Sequence, residues 1–304
     1  MQSKLISPST LALLRSRGSF IAWMVFLVAM LQGCGAAEEV PAGSGTGPGA
    51  TVIASIVRGG LLYDHWMDAT ATPAPDGLNP LWAYGAGDPT GPGGPTAPKP
   101  EKSWRCKQCH GWDYKGKEGA YDDKSSNFTG FGGILDAKNL TAAEVEDKLT
   151  NGFSLIKDPV TAEEEVVHNF GGLLSAENIK DLTAFIVSGG VLDTDNYITV
   201  LPKGQPIVSG GHATRGKDLY TVQRKSTAPN GDCSQCHGDN GVSAVTPALK
   251  LGELSREDPW EVLHKIRFGQ AGDESPSMPS LLESGLTDQD AADILAHAMT
   301  LTDK

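Results

Sequence analysis

Two pentapeptides constrain this chain more than any other feature: Cys106-Lys107-Gln108-Cys109-His110 and Cys233-Ser234-Gln235-Cys236-His237. In each, two thiols stand about one helical turn apart and a histidine follows at once. The chain has five cysteines. Four are in the pentapeptides and the fifth is Cys34, so none is left over for a disulfide or a catalytic thiol. A zinc ribbon places its CxxC pairs roughly 15–20 residues apart, whereas these are 127 apart (106 to 233). A thioredoxin-like pair does not need the following histidine, nor a second copy. With seven histidines in 304 positions, a chance histidine after CxxC is about a one-in-forty event, and here it happens twice.

Thiols at this spacing can each add to a vinyl group on one edge of a haem, and the adjacent histidine is placed to ligate the iron. This is the signature of c-type haem attachment. The reading assigns two haem c groups, held through thioethers by Cys106, Cys109, Cys233 and Cys236, with His110 and His237 as proximal iron ligands.

The start of the chain reads as a targeting segment. Lys4, Arg15 and Arg17 precede an apolar run from Phe20 to Leu31, too short to span a bilayer comfortably. The run ends in Leu31-Gln32-Gly33-Cys34, which resembles the lipobox of bacterial lipoproteins and implies a lipid anchor on Cys34. The alternative is an ordinary signal peptide cleaved near Ala36 or Ala37, or an uncleaved anchor. Loss of residues 1–33 would remove three positive charges and take the net charge from −12 to −15. So acidic a chain argues against nucleic acid as a partner.

The rest divides into a flexible Gly/Ala/Pro-rich tether (34–54), a first half (55–190), a linker (191–211) and a second half (212–304). The halves look like copies of one plan. Gly60 and Tyr63 precede the first haem motif, and Gly216 and Tyr220 the second. A middle helix opens at Leu140-Thr141 and closes at Gly152; its counterpart opens at Leu254-Ser255 and closes at Gly269. Last helices follow N-caps Ser175 and Thr287. The first half carries a Pro/Gly-rich insertion of about 30 residues ahead of its motif.

This plan resembles the class I cytochrome c fold, which implies a mainly α protein of two tandem helical domains, each wrapped around one covalent haem with long Gly/Pro-rich loops. In that family the N-terminal helix crosses the C-terminal one through small and aromatic residues. Gly60 and Tyr63 would meet Leu182 and Phe185, and Gly216 and Tyr220 would meet Ile294, with His297 where an aromatic is usual. Met278, in a Pro-flanked loop nine residues before Thr287, resembles the family's distal-ligand segment, so His237 and Met278 are expected on the second iron. Met299 reads as packing. The first half has no methionine after Cys106; His168 stands at the equivalent place, so His110 and His168 are expected on the first iron. His65 is the main competitor, Met67 a weaker one, and His212 and His264 lesser still. The aromatic-rich segments 111–116 and 128–133 line the first haem crevice or simply pack.

Methionine ligation raises a haem potential relative to histidine. The expectation is a low-potential first haem feeding a higher-potential second one, in an exported, membrane-tethered carrier between unidentified redox partner proteins. The rival is a dihaem enzyme such as a bacterial peroxidase, in which one haem opens for substrate.

Overall fold

In each half, two helices cross where a glycine removes the side chain that would hold them apart. The computed structural model describes residues 48–82, 99–156, 165–201, 204–221, 233–242, 249–270 and 278–304. Residues 1–33, Cys34 and most of the tether lie outside them. The described residues belong to one unit, Ala42–Lys304. They are mainly helical, with two short antiparallel hairpins. Among them no helix is long and apolar enough to cross a membrane.

Helix α1 (Pro48–Thr70) starts inside the segment read as tether and breaks at His65, where φ is −151°. Its buried residues Ile56, Val57, Tyr63, Trp66 and Met67 recur at helical spacing and form one face. Short helices α2 (Pro100–Ser103) and α3 (Cys106–His110) follow. Helix α4 (Ala142–Thr150) opens with the expected cap: the Thr141 hydroxyl accepts from the Glu144 N–H while the Glu144 carboxylate receives the Thr141 N–H. Strands β1 (Ser154–Ile156) and β2 (Glu165–Val167) pair antiparallel. Helix α5 (Ala176–Val187), capped by Ser175, crosses α1.

The second half repeats the scheme. Helix α6 (Ala213–Thr221) crosses α10 (Asp288–Ala298), which Thr287 and Asp290 cap reciprocally. Between them lie α7 (Cys233–His237), α8 (Leu251–Glu257) and α9 (Pro259–Phe268). The expected cap at Ser255 is absent. Ser255 is buried inside α8 and its hydroxyl bonds back to the Leu251 carbonyl. The helix that closes at Gly269 begins instead at Asp258-Pro259, because proline fits the first helical position and the Asp258 carboxylate accepts from the Glu261 N–H.

The crossing glycine of the first half is Gly59, not Gly60. A Cβ on Gly59 would collide with the Asp181 carbonyl and Phe185, just as one on Gly216 would collide with the Asp293 carbonyl. Gly59 and Gly216 each stand four residues before their tyrosine, Tyr63 and Tyr220. Gly60, about 100° further round α1, faces the other half, where a Cβ would strike the Phe268 ring. The aromatic partners do correspond: Tyr63 and Phe185 ring centres are 5.3 Å apart, Tyr220 and His297 5.2 Å.

The halves share a continuous interface along α9. Phe268 belongs to the apolar core of the first half. His264 is fully satisfied as a neutral imidazole: Nε2–H donates to the Gly60 carbonyl at 3.1 Å, and Nδ1 accepts from the Tyr114 hydroxyl at 2.8 Å. Burial lowers its pKa to about 3 against an opposing Asp64. Buried Asp64 of α1 pairs with Arg105 and, at 2.6 Å, with Lys265. Burial alone would raise the Asp64 pKa, but the two cations outweigh it and hold the carboxyl at about 2. Arg267, 1% exposed, donates to the Gly189 and Gly190 carbonyls and pairs with Asp288. The described residues between 191 and 211 form a 3₁₀ turn (Thr194–Asn196) and an antiparallel pair of strands, β3 (Ile198–Leu201) and β4 (Gln205–Val208). Val191 joins the first core and Ile198 the second.

Candidate functional site

Each CxxCH segment is a single turn of helix locked in the same way. The Tyr63 hydroxyl donates to the Gly111 carbonyl at 2.6 Å, and the Tyr220 hydroxyl to the Gly238 carbonyl at 2.7 Å. Gly111 and Gly238 directly follow His110 and His237. Both take positive φ (77° and 70°), the conformation that stops the turn after the histidine. The crossing helices therefore set where each histidine sits, through a buried phenol.

Burial pushes Cys106 and Cys109 up to about 12, so neither is ionised near neutral pH. Cys106 packs against the first core; Cys233 packs against the second.

His110 is oriented by the glycine-rich segment that follows its motif. Its Nδ1 lies 2.8 Å from the Gly132 carbonyl, so the ring N–H donates there and leaves the Nε2 lone pair available. That carbonyl comes close because Gly116 and Gly132 bridge, and because a Cβ on Gly133 would overlap the Tyr114 carbonyl. Thr129 adds a bond to the Cys109 carbonyl at 3.1 Å.

The structure brings His168 to His110. Their ring centres are 6.1 Å apart with the planes crossed at 71°. One ion bound to a nitrogen of each ring at about 2 Å sets ring centres roughly 6 Å apart, so this spacing is compatible with one ion shared by the two rings. Burial, with His110 adding to it, lowers the His168 pKa to about 4, and burial lowers that of His110. Both rings are thus neutral at physiological pH, the form that ligates metals. His168 follows β2 directly and is sandwiched by Phe153, stacked at 5.0 Å, and Phe170, edge-on at 5.2 Å.

The other candidate ligands make contacts of their own. The His65 Nδ1 accepts from the Asp68 N–H at 3.2 Å and lies 3.2 Å from the Asp68 carboxylate. Met67 is buried in the first core. His212 starts the second half with its N–H on Asp293, and His264 is the interface residue described above.

In the second half, the Nδ1 of His237 is buried and has no hydrogen-bond partner among the described residues; burial lowers the pKa of the ring. Met278 packs on the same apolar cluster as Cys233, and its carbonyl accepts from the Gln270 N–H at 3.0 Å. Gly269, at φ 80°, lies so close to the Met278 carbonyl that a Cβ would clash. The end of α9 thereby places the methionine segment.

Two aromatic residues after the first motif pack against the second half. Trp112 and Tyr114 are both 1% exposed and contact His264 of α9. Lys107, inside the first motif, lies over Trp112 at 4.7 Å. Among the described residues no group of three or more His, Cys, Asp or Glu side chains could hold a metal ion. What converges instead is a facing pair of imidazoles. The chain matches no protein-family model, and no curated protein and no solved structure shows significant similarity to it.

Proposed function

We propose that this protein is a dihaem c-type cytochrome that transfers electrons in the bacterial cell envelope, built from two tandem class I cytochrome c-like halves. The observation that carries the reading is the pairing of His168 with His110 at 6.1 Å, beside a CxxCH turn that occurs twice with the same tyrosine lock. Two opposed imidazoles without a third ligand suit an ion whose remaining positions are filled by a macrocycle. Cys106, Cys109, Cys233 and Cys236 would hold the two haems covalently, His110 and His168 the first iron, and His237 and Met278 the second. When bound, haem supplies one-electron chemistry at iron.

The protein's own contribution is burial, orientation and ligand choice. Neutral, buried imidazoles in the first half favour a lower potential than a histidine–methionine pair in the second, so electrons run from first to second. A lipid on Cys34 would keep this exchange close to a membrane, with donor and acceptor proteins docking from the aqueous side. The parsimonious role is electron carrier or electron-transfer subunit, since the chain itself would supply two ligands to each iron at rest.

A haem assay on the purified protein checks this directly, with two c-type haems per chain expected. Any other stoichiometry would overturn the reading. The oxidised protein should also show a methionine–iron charge-transfer band that disappears in Met278→Ala, and His168→Ala should convert the first iron to high spin.

A further inference from the structure

The two rings that face each other in the first half are held by different means. His110 is anchored by a hydrogen bond from Nδ1 to a backbone carbonyl. The Nδ1 of His168 is buried and has no such partner among the described residues. A hydrogen bond to the outer nitrogen of a ligating imidazole fixes its orientation and raises its basicity, and so strengthens its hold on a metal. Among the described residues Phe153 and Phe170 contact the His168 ring, and of the two only Phe153 stacks on its face.

Phe153 and His168 form the next cross-strand pair beyond Ser154 and Val167 at the base of the β1–β2 hairpin, and the His168 N–H donates to the Phe153 carbonyl at 3.0 Å. Their side chains stack, with ring centres 5.0 Å apart and planes 21° from parallel. Gly152, at φ 74°, ends α4 and turns the chain so that Phe153 arrives on this face. Lys148, on the last turn of α4, lies 5.7 Å from the centre of the same ring. Core packing does not account for Phe153, since it is 44% exposed. Among the described residues its aromatic ring contact is the face of the candidate ligand.

We infer that Phe153 is the positioning residue for His168, and that His168, held by stacking rather than by a hydrogen bond, is the exchangeable ligand of the first iron. This rests on the reading of His110 and His168 as its axial pair. It gives the first site a built-in asymmetry: one ligand stays, and the other can yield to a small external ligand without disturbing the thioether-bearing turn.

Cyanide titration of the oxidised, haem-loaded full chain tests this, followed through the low-spin paramagnetic resonance signal of the first iron. The methionine–iron band of the second iron serves as an internal reference. Phe153→Ala is expected to raise cyanide affinity at the first iron by about three- to tenfold, because the external ligand then competes with a less well held imidazole. Affinity at the second iron should not move. Phe153→Tyr, which keeps the stack, should match the parent protein. The inference is overturned if Phe153→Ala binds cyanide no more tightly than the parent, or if Phe153→Tyr behaves like Phe153→Ala. A His168→Ala protein whose first iron stays low-spin without cyanide would instead bring down the axial-pair reading, and this inference with it.

Discussion

A single carboxylate, Asp64, connects the helix that positions the first motif, the residue just before that motif, and the second half. It is 3% exposed and pairs with both Arg105 and Lys265. Removing one partner from so buried a network leaves charge uncompensated, so Asp64→Asn should lower the unfolding free energy by about 3 kcal/mol. Denaturant unfolding of the purified protein measures it, and a loss comparable to a surface pair, under about 1 kcal/mol, would show that the network carries little weight. Asp258 has the opposite electrostatic situation. Burial and the charge of Glu261 push its pKa to about 7, against the N–H of Glu261 that it caps. A carboxyl raised in the folded state adds stability that is lost as pH rises from its unfolded pKa through the folded one. Asp258→Asn keeps the cap and removes the charge. The variant should melt above the parent at pH 8, with the advantage shrinking toward pH 4; an equal gain at both would refute the titration.

Helix crossings carry the next level of organisation. The glycines at Gly59 and Gly216 let α1 meet α5 and α6 meet α10 at backbone distance, and the tyrosines four residues on reach the motif turns. Alanine at either glycine should destabilise by about 1–3 kcal/mol or more through overpacking. If the dihaem proposal holds, it should also shift the iron spectrum of its own half rather than the other. Much of this was legible in sequence because it is local: the caps at Thr141, Ser175 and Thr287 need only a hydroxyl at the right offset. The twice-repeated tyrosine was legible for the same reason. Which of Gly59 and Gly60 makes the crossing was not, since adjacent glycines leave no mark of the direction each faces. The start at Asp258-Pro259 was readable from the proline, yet alignment to the other half pointed to Ser255. His168 was found by position in the repeat, whereas Phe153 gave no signal, because the stack depends on a hairpin register that spans residues 153–168.

Across the whole molecule, the two halves are bound through α9 more intimately than a tandem arrangement with a linker implies. Neither the Tyr114–His264–Gly60 chain nor the bonds from Arg267 to the Gly189 and Gly190 carbonyls could be read from sequence, since each joins residues at least 77 positions apart. His264 also sets an acid limit. Its folded pKa of about 3 is below the ordinary 6.5, so unfolding takes up a proton between those values. Stability should therefore fall by up to about 1.4 kcal/mol per pH unit as pH drops below 6.5. His264→Phe should flatten that slope while lowering stability at pH 7, and an unchanged slope would exclude His264 as its source. Finally, the contribution of α9 to the first core makes the order of synthesis matter. Residues 48–201 leave the ribosome with Gly60, Asp64 and Tyr114 still lacking the partners that α9 supplies. The first half must then wait, incompletely covered, while roughly sixty more residues are added. Such long-range closure slows folding, so Cys106 and Cys109 would remain open to covalent modification on an intermediate that docking of the second half later seals.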